Sequence, residues 1–227
     1  MTSTRKIGVI TGVIFIIATV AALLAAALLP VMTSADYLTL VSAHFNQVAA
    51  SAFFYLIAAF GSAGIAISMY PVMKGSNVSL ALGSVIFRAM EAVLYMVAVV
   101  NLLSMLKLSQ NFTNAGVADR SSLQAIGDSL RNARDLATLT AVFAFSLGAF
   151  MYYYLFFQSR LIPRWLSGWG IAAIILMMTA CVLALFSGKP VTGYTLLVIP
   201  IALQEMVLAV WLIVKGFSPS VNATVHL

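Results

Sequence analysis

An all-α, polytopic membrane bundle of six transmembrane helices is what this sequence predicts, and three observations predict it. Of 227 residues, 63% are hydrophobic and only 8% are charged, with a mean hydropathy of +1.06. A soluble domain carries roughly 25% charged residues, and one core cannot hide this much apolar surface. The apolar residues also fall into six runs, each long enough to cross a bilayer. A hydrocarbon core of about 30 Å needs around 20 residues as helix. Finally, lysines and arginines stand singly at the ends of these runs, where charge sets topology. With no basic stripe on one face, the net charge of +6 does not indicate a nucleic-acid partner. The expected partner is the lipid bilayer.

The runs cover about residues 8–30, 48–73, 78–106, 136–158, 167–187 and 191–214 of one domain, 1–227. In lipid each segment must satisfy its own backbone polar groups, so all six are helices. The first follows Arg5 and Lys6, as a signal peptide would. Its apolar stretch exceeds the usual core of such peptides, which predicts a retained helix.

Between the first two spans, Tyr37, Leu38, Val41 and Phe45 form one apolar stripe, while Asp36 and His44 face elsewhere. This reads as a short interfacial helix. Ala18, Ala22 and Ala26 repeat every four residues, and GSAG at Gly61–Gly64 adds a second small patch. Small residues let membrane helices approach closely.

The third connector is the longest. Ser121 with Gln124 fits a capping box, and Leu123, Ile126, Leu130 and Ala133 recur at helical spacing. Asp128 with Arg131, and Arg131 with Asp135, can pair along the opposite face. An amphipathic helix over about 121–134, lying on the membrane surface, is expected here. Tyr152, Tyr153, Tyr154, Trp165 and Trp169 cluster around the fourth connector as an aromatic belt would.

Arg5, Lys6, Lys74, Arg160, Arg164 and Lys215 all fall on one side of the six-span path. The first connector has neither lysine nor arginine, and the fifth has only Lys189. The positive-inside rule then puts both termini in the cytoplasm. Lys107, Arg120, Arg131 and Arg134 in the long third connector run against this, but Asp119, Asp128 and Asp135 are mixed among them.

Several chemistries lack their residues. His44 lies near an interface and His226 next to the end, so no HExxH zinc site or paired haem ligands can form. There is no GxxxxGKS/T loop and no Ser–His pair at depth. The single cysteine, Cys181, sits mid-span. Asn-x-Ser/Thr triplets at Asn77, Asn111 and Asn222 are short enough to arise by chance. No catalytic residue, cofactor or metal is expected.

What stands out is FRAMEAVLY, Phe87–Tyr95, which carries Arg88 and Glu91 inside an otherwise apolar span. At helical spacing Ser84, Arg88, Glu91 and Tyr95 share a face. The last span brings Glu205, preceded by Gln204 and Pro200, with Tyr194 on nearly the same face. An unpaired charge at mid-depth costs about 2.5–3.5 kcal/mol, so three would cost roughly 8–10. Pairing Arg88 with Glu91 along the helix, and with Glu205 across a contact between the third and sixth spans, relieves most of that. One negative charge is left over, which suits a proton site or the counter-charge of a bound cation. Pro200 frees a backbone carbonyl that suits a kink or a ligand contact.

FRAMEA (Phe87–Ala92), LIPRWLSGWG (Leu161–Gly170) and IPIALQEMVLAVWLIVKG (Ile199–Gly216) resemble, in this order, a bacterial integral-membrane family, domain of unknown function 4386. The resemblance implies a multi-span bundle in a bacterial cytoplasmic membrane. It maps onto Arg88 and Glu91, Pro163 to Leu166, and Pro200, Glu205, Trp211 and Gly216. Ser167 between Leu166 and Gly168 departs from its pattern. No activity comes with it.

The leading expectation is a non-enzymatic membrane protein whose polar cluster (Arg88, Glu91, Glu205, Tyr95, Gln204 and Tyr194) binds or moves a small solute or proton. The alternative is a membrane sensor or assembly factor in which the cluster is a structural salt bridge. A lipid-modifying enzyme is the third reading.

Overall fold

The computed structural model describes residues 3–29, 32 and 34–218. Pro30, the expected end of the first span, lies outside the described residues, as do Asn222 and His226. The helices are α1 (Ser3–Leu28), α2 (Tyr37–Ala43), α3 (Phe45–Met73), α4 (Val78–Asn114), α5 (Val117–Ser159), α6 (Arg164–Ser187) and α7 (Thr195–Val214). All but α2 are long and apolar enough to cross a membrane.

Hydropathy alone forces the layout. Exposed Ile10, Ile17 and Leu24 on α1, Phe53, Phe60 and Ile67 on α3, and Ile86, Val93 and Val100 on α4 recur every seven residues, two helical turns. In water such stripes would be costly contiguous patches; in a bilayer they are the solvated face. Each long helix packs on the next in chain order, and α7 packs back on α1, so six antiparallel helices close into a ring. The short 3₁₀ turn Val191–Tyr194 precedes α7.

Small residues set the seams. The α1–α3 seam has Gly61 seated on Ala18, where an added Cβ would come within 2.7 Å of the alanine methyl. Ser51 donates to the Ala25 carbonyl at 2.7 Å, and Thr11 and Ser68 hydroxyls pair at 2.8 Å. The predicted Ala18–Ala22–Ala26 stripe is displaced. Ala18, Ala21 and Ala25 are buried, whereas Ala26 is exposed, because the seam follows a three- then four-residue step. The ring closes where Gly8 faces Gly216 and Gly12 faces the Ala209 carbonyl.

The third connector differs from expectation. α4 runs on to Asn114 and α5 starts at Val117, so Ala115–Gly116 alone joins them. At 1.5 Å per residue these helices are about 55 and 65 Å long, roughly 25 Å or more beyond the hydrocarbon core. The stretch over 121–134 is therefore the start of α5 and not a separate surface helix. Charge at Lys107 and Asp135 ends a span but does not end a helix, and no proline interrupts 117–159. Gly116 occupies the N-cap, which leaves Ser121 inside the helix.

This hairpin packs on α2. Tyr37, Leu38 and Val41 are buried against Leu102, Met105 and Leu106 of α4. Phe45 belongs to α3 and is exposed. Gly127 of α5 lets Tyr37 in, since a Cβ there would lie 2.5 Å from the phenol oxygen. The inward face of this part of α5 therefore runs through Leu123, Gly127 and Leu130, while Ile126 and Ala133 are exposed. Asp128 and Arg131 pair at 3.2 Å as expected, but Asp135 pairs with Arg134 at 3.1 Å. Arg131 also donates to the Met32 carbonyl at 3.0 Å and covers the Tyr37 ring at 4.6 Å. Burial, and then the Asp128 charge, push the Tyr37 phenol up to about 12, so it stays neutral at physiological pH.

Candidate functional site

Ser84, Arg88, Glu91 and Tyr95 share the inner face of α4, as their spacing requires. Arg88 Nη1 lies 3.1 Å from Glu91 Oε2, with both side chains under one-tenth exposed. Ser62 of α3 donates to the same oxygen at 2.5 Å. On the other side, the Arg88 guanidinium stacks on the Phe145 ring of α5 at 4.7 Å. α5 comes this close because of Gly148, where a Cβ would meet Arg88 Cγ at 3.1 Å and the Ser84 carbonyl at 3.2 Å. One buried ion pair thus ties three consecutive helices together.

Glu205 reaches the site from α7, which stands across the ring from α4 and not against it. The expected ion pair between Arg88 and Glu205 across a direct helix contact is not formed among the described residues. Within the ring the neighbours of α4 are α3 and α5, and a ring of six keeps opposite helices apart. Between them lies a cavity of about 240 Å³ with walls from all six long helices. Its polar wall holds Ser62, Arg88, Glu91, Tyr95 and Glu205. Most of the rest is apolar, including Ile65, Val142, Phe145 and Met177. Arg88 Nε and Glu205 Oε1 are buried and have no partner, and Arg88 Nη1 is met by the Glu91 carboxylate as an ion pair only. Unmet polar atoms of this kind are costly in a low-dielectric interior.

Two expected members are elsewhere. Gln204 is fully buried on the α5–α6 side, where it accepts from the Tyr153 hydroxyl and donates to the Leu166 carbonyl at 3.1 Å. Adjacent helical residues point about 100° apart, so Gln204 and Glu205 cannot share a wall. Tyr194 belongs to the 3₁₀ turn and donates to Ser187 Oγ at 2.9 Å and the Leu183 carbonyl at 3.3 Å. That turn breaks the register that would have aligned it with Glu205. Pro200 is likewise absent from the cavity wall.

Tyr152 and Tyr153 are fully buried and so are not part of an aromatic belt, whereas Tyr154 and Trp165 are exposed. Tyr153 lies flat against Gly170, where a Cβ would fall 2.5 Å from its ring. Sequence reading missed Ser62, Phe145, Gly148 and Tyr55 of the cavity region. Ser62 sits within GSAG, where it reads as one more small packing residue.

The three segments singled out in the sequence therefore have distinct work. FRAMEA builds the cavity wall. Pro163 opens α6 and Leu166 receives Gln204, while Trp165 meets Trp211 edge-on at 6.4 Å. Gly216 turns the chain with φ of 74° beside Arg5. Among curated proteins none matches this chain, and among solved structures none does. A family model described as Domain of unknown function (DUF4386) matches residues 10–216. It takes in all three segments, and the chain belongs to that family.

Proposed function

We propose that the cavity enclosed by the six-helix ring is a binding site for a small solute or proton in a non-enzymatic protein of the bacterial cytoplasmic membrane. One observation carries the reading. Among the described residues, the only charges deep in the apolar helices converge on a 240 Å³ space, while Arg88 Nε and Glu205 Oε1 have no partner. A purely structural ion cluster closes on itself, because each unmet group is costly. An engineered cavity of about 150 Å³ already admits benzene, so this one has room for more than water.

The sensor or assembly reading draws on the Ser62–Glu91–Arg88 link between α3 and α4. It leaves Glu205 without a use. The two separate by thermal unfolding in lipid nanodiscs against a panel of small amines and amino acids, repeated between about pH 5 and 8. Saturating ligand stabilises by roughly 2–3 kcal/mol. A panel member should therefore raise the melting temperature of the wild type by a few degrees and leave Glu205→Gln unmoved. Identical profiles for both proteins, at every solute and pH, would remove the reading.

The distribution of short-loop arginine and lysine supports cytoplasmic termini. Cysteines placed at Ser76 and Ser159 should react with an impermeant thiol reagent only from the cytoplasm, and one at Asn114 only from outside. The native Cys181 is fully buried and gives no background. Reaction of the Asn114 position from the cytoplasm would reverse the orientation.

A further inference from the structure

We infer that the cavity takes an amphiphile bearing a protonated amine beside a hydroxyl, entering sideways from the bilayer between α1 and α7; this rests on reading the cavity as a ligand site. The first ground is the shape of the α1–α7 seam. Over its Gly8–Gly12 half the two backbones touch. Over the other half the facing residues, Thr19, Ala22 and Leu23 against Val198, Ala202 and Glu205, line the cavity. Leu23 is both a wall residue and 63% exposed, so the cavity reaches the outer surface there.

What surrounds that mouth is apolar. Val20, Leu24, Ile199 and Leu203 are exposed around it, and α1 carries no charge beyond Lys6. The mouth therefore opens onto hydrocarbon. The way toward the α4–α5 hairpin is narrow by comparison. There, behind Tyr55 and Tyr95, a pocket of about 10 Å³ leads to Arg134 and Thr138. That is about the smallest space that holds one water.

The polar wall then selects the head group. Arg88 spends its charge on Glu91, leaving one surplus negative charge at Glu205. Glu205 Oε1 needs a donor, and Arg88 Nε needs an acceptor. An amine with a neighbouring hydroxyl supplies both, and its chain lies along the apolar wall and out through the mouth.

The probe is 2-aminododecan-1-ol (aminododecanol), added to the protein in phosphatidylcholine nanodiscs and read by native mass spectrometry and thermal shift. Dodecanol, dodecanoate and ethanolamine are the comparisons. Aminododecanol should bind and stabilise the wild type, and the other three should not. Losing one side of a buried charge pair costs enough that Glu205→Gln should weaken binding by about thirtyfold or more. Ala22→Trp with Ala202→Trp fills the mouth and should abolish uptake. Leu23→Trp, at the exposed rim, is the second blocking variant should the pair fail to fold, and it should slow uptake. Binding of dodecanoate would overturn the charge assignment. Glu205-dependent binding of ethanolamine without aminododecanol would keep the site and overturn sideways entry. Silence of all four probes overturns the amine class. Silence of the small-solute panel as well would overturn the site itself.

Discussion

Arg88→Met alone should cost about 3–5 kcal/mol of stability, and adding Glu91→Leu with Glu205→Leu should restore most of it. Removing one member of a buried ion pair leaves the other charged in a medium that cannot solvate it. In the single variant Glu91 keeps the Ser62 hydroxyl but loses its 3.1 Å counter-charge. Glu205, already without a partner at Oε1, loses the nearest positive charge facing it. Methionine fills the volume and still meets Phe145, so the loss is electrostatic. The triple variant removes every charge, and apolar sets of similar size often match a buried ion group. Thermal and denaturant unfolding in the same detergent measures both. Equal stability of the single variant and the wild type would mean that water reaches Arg88 and solvates it. Exchanging Arg88→Glu with Glu205→Arg should recover little, because a cavity and not a helix contact lies between α4 and α7.

The parts of this molecule that were legible in sequence are those governed by the cost of charge in lipid. That cost marks six apolar runs, and it marks Arg88, Glu91 and Glu205 as residues that must meet something. It also misleads where it is the only signal. Lys107 and Asp135 end the hydrocarbon passage, yet α4 and α5 continue past them because backbone hydrogen bonding does not depend on lipid. Adjacency draws Gln204 to Glu205, but polar residues one step apart on a helix serve different neighbours. Ser62, Phe145 and Gly148 gave no signal, since serine, phenylalanine and glycine are ordinary in a membrane span. Their roles come from which helices stand side by side. Ring closure is of the same kind: Gly8 and Gly12 are four residues apart, but α1 holds many small residues and only the partner picks out these two.

That partner makes the closing glycine the most sensitive point on the ring. At Gly12 an added Cβ would lie 2.6 Å from the Ala209 carbonyl oxygen and 2.7 Å from Ile213 Cγ1. Ile213 can rotate away, but a helix carbonyl cannot, so α1 and α7 must move apart. Gly12→Ala should therefore cost about 1–3 kcal/mol, the usual range for overpacking, and Gly12→Leu should reach or pass the top of that range. Gly64 provides the contrast on the same membrane scaffold. Its added Cβ would meet only Ile14, at 3.7 Å, which is ordinary van der Waals contact. Gly64→Ala should be neutral or gain about 0.5–1 kcal/mol, since alanine orders a helix interior better than glycine. Unfolding of the three variants in one detergent decides the matter, with proteolysis reporting whether α1 has come away. A Gly12→Leu protein as stable as Gly64→Ala would mean that α1 and α7 are not held together here. The gap at Leu23 would then be one end of an open seam and not a mouth above a closed one.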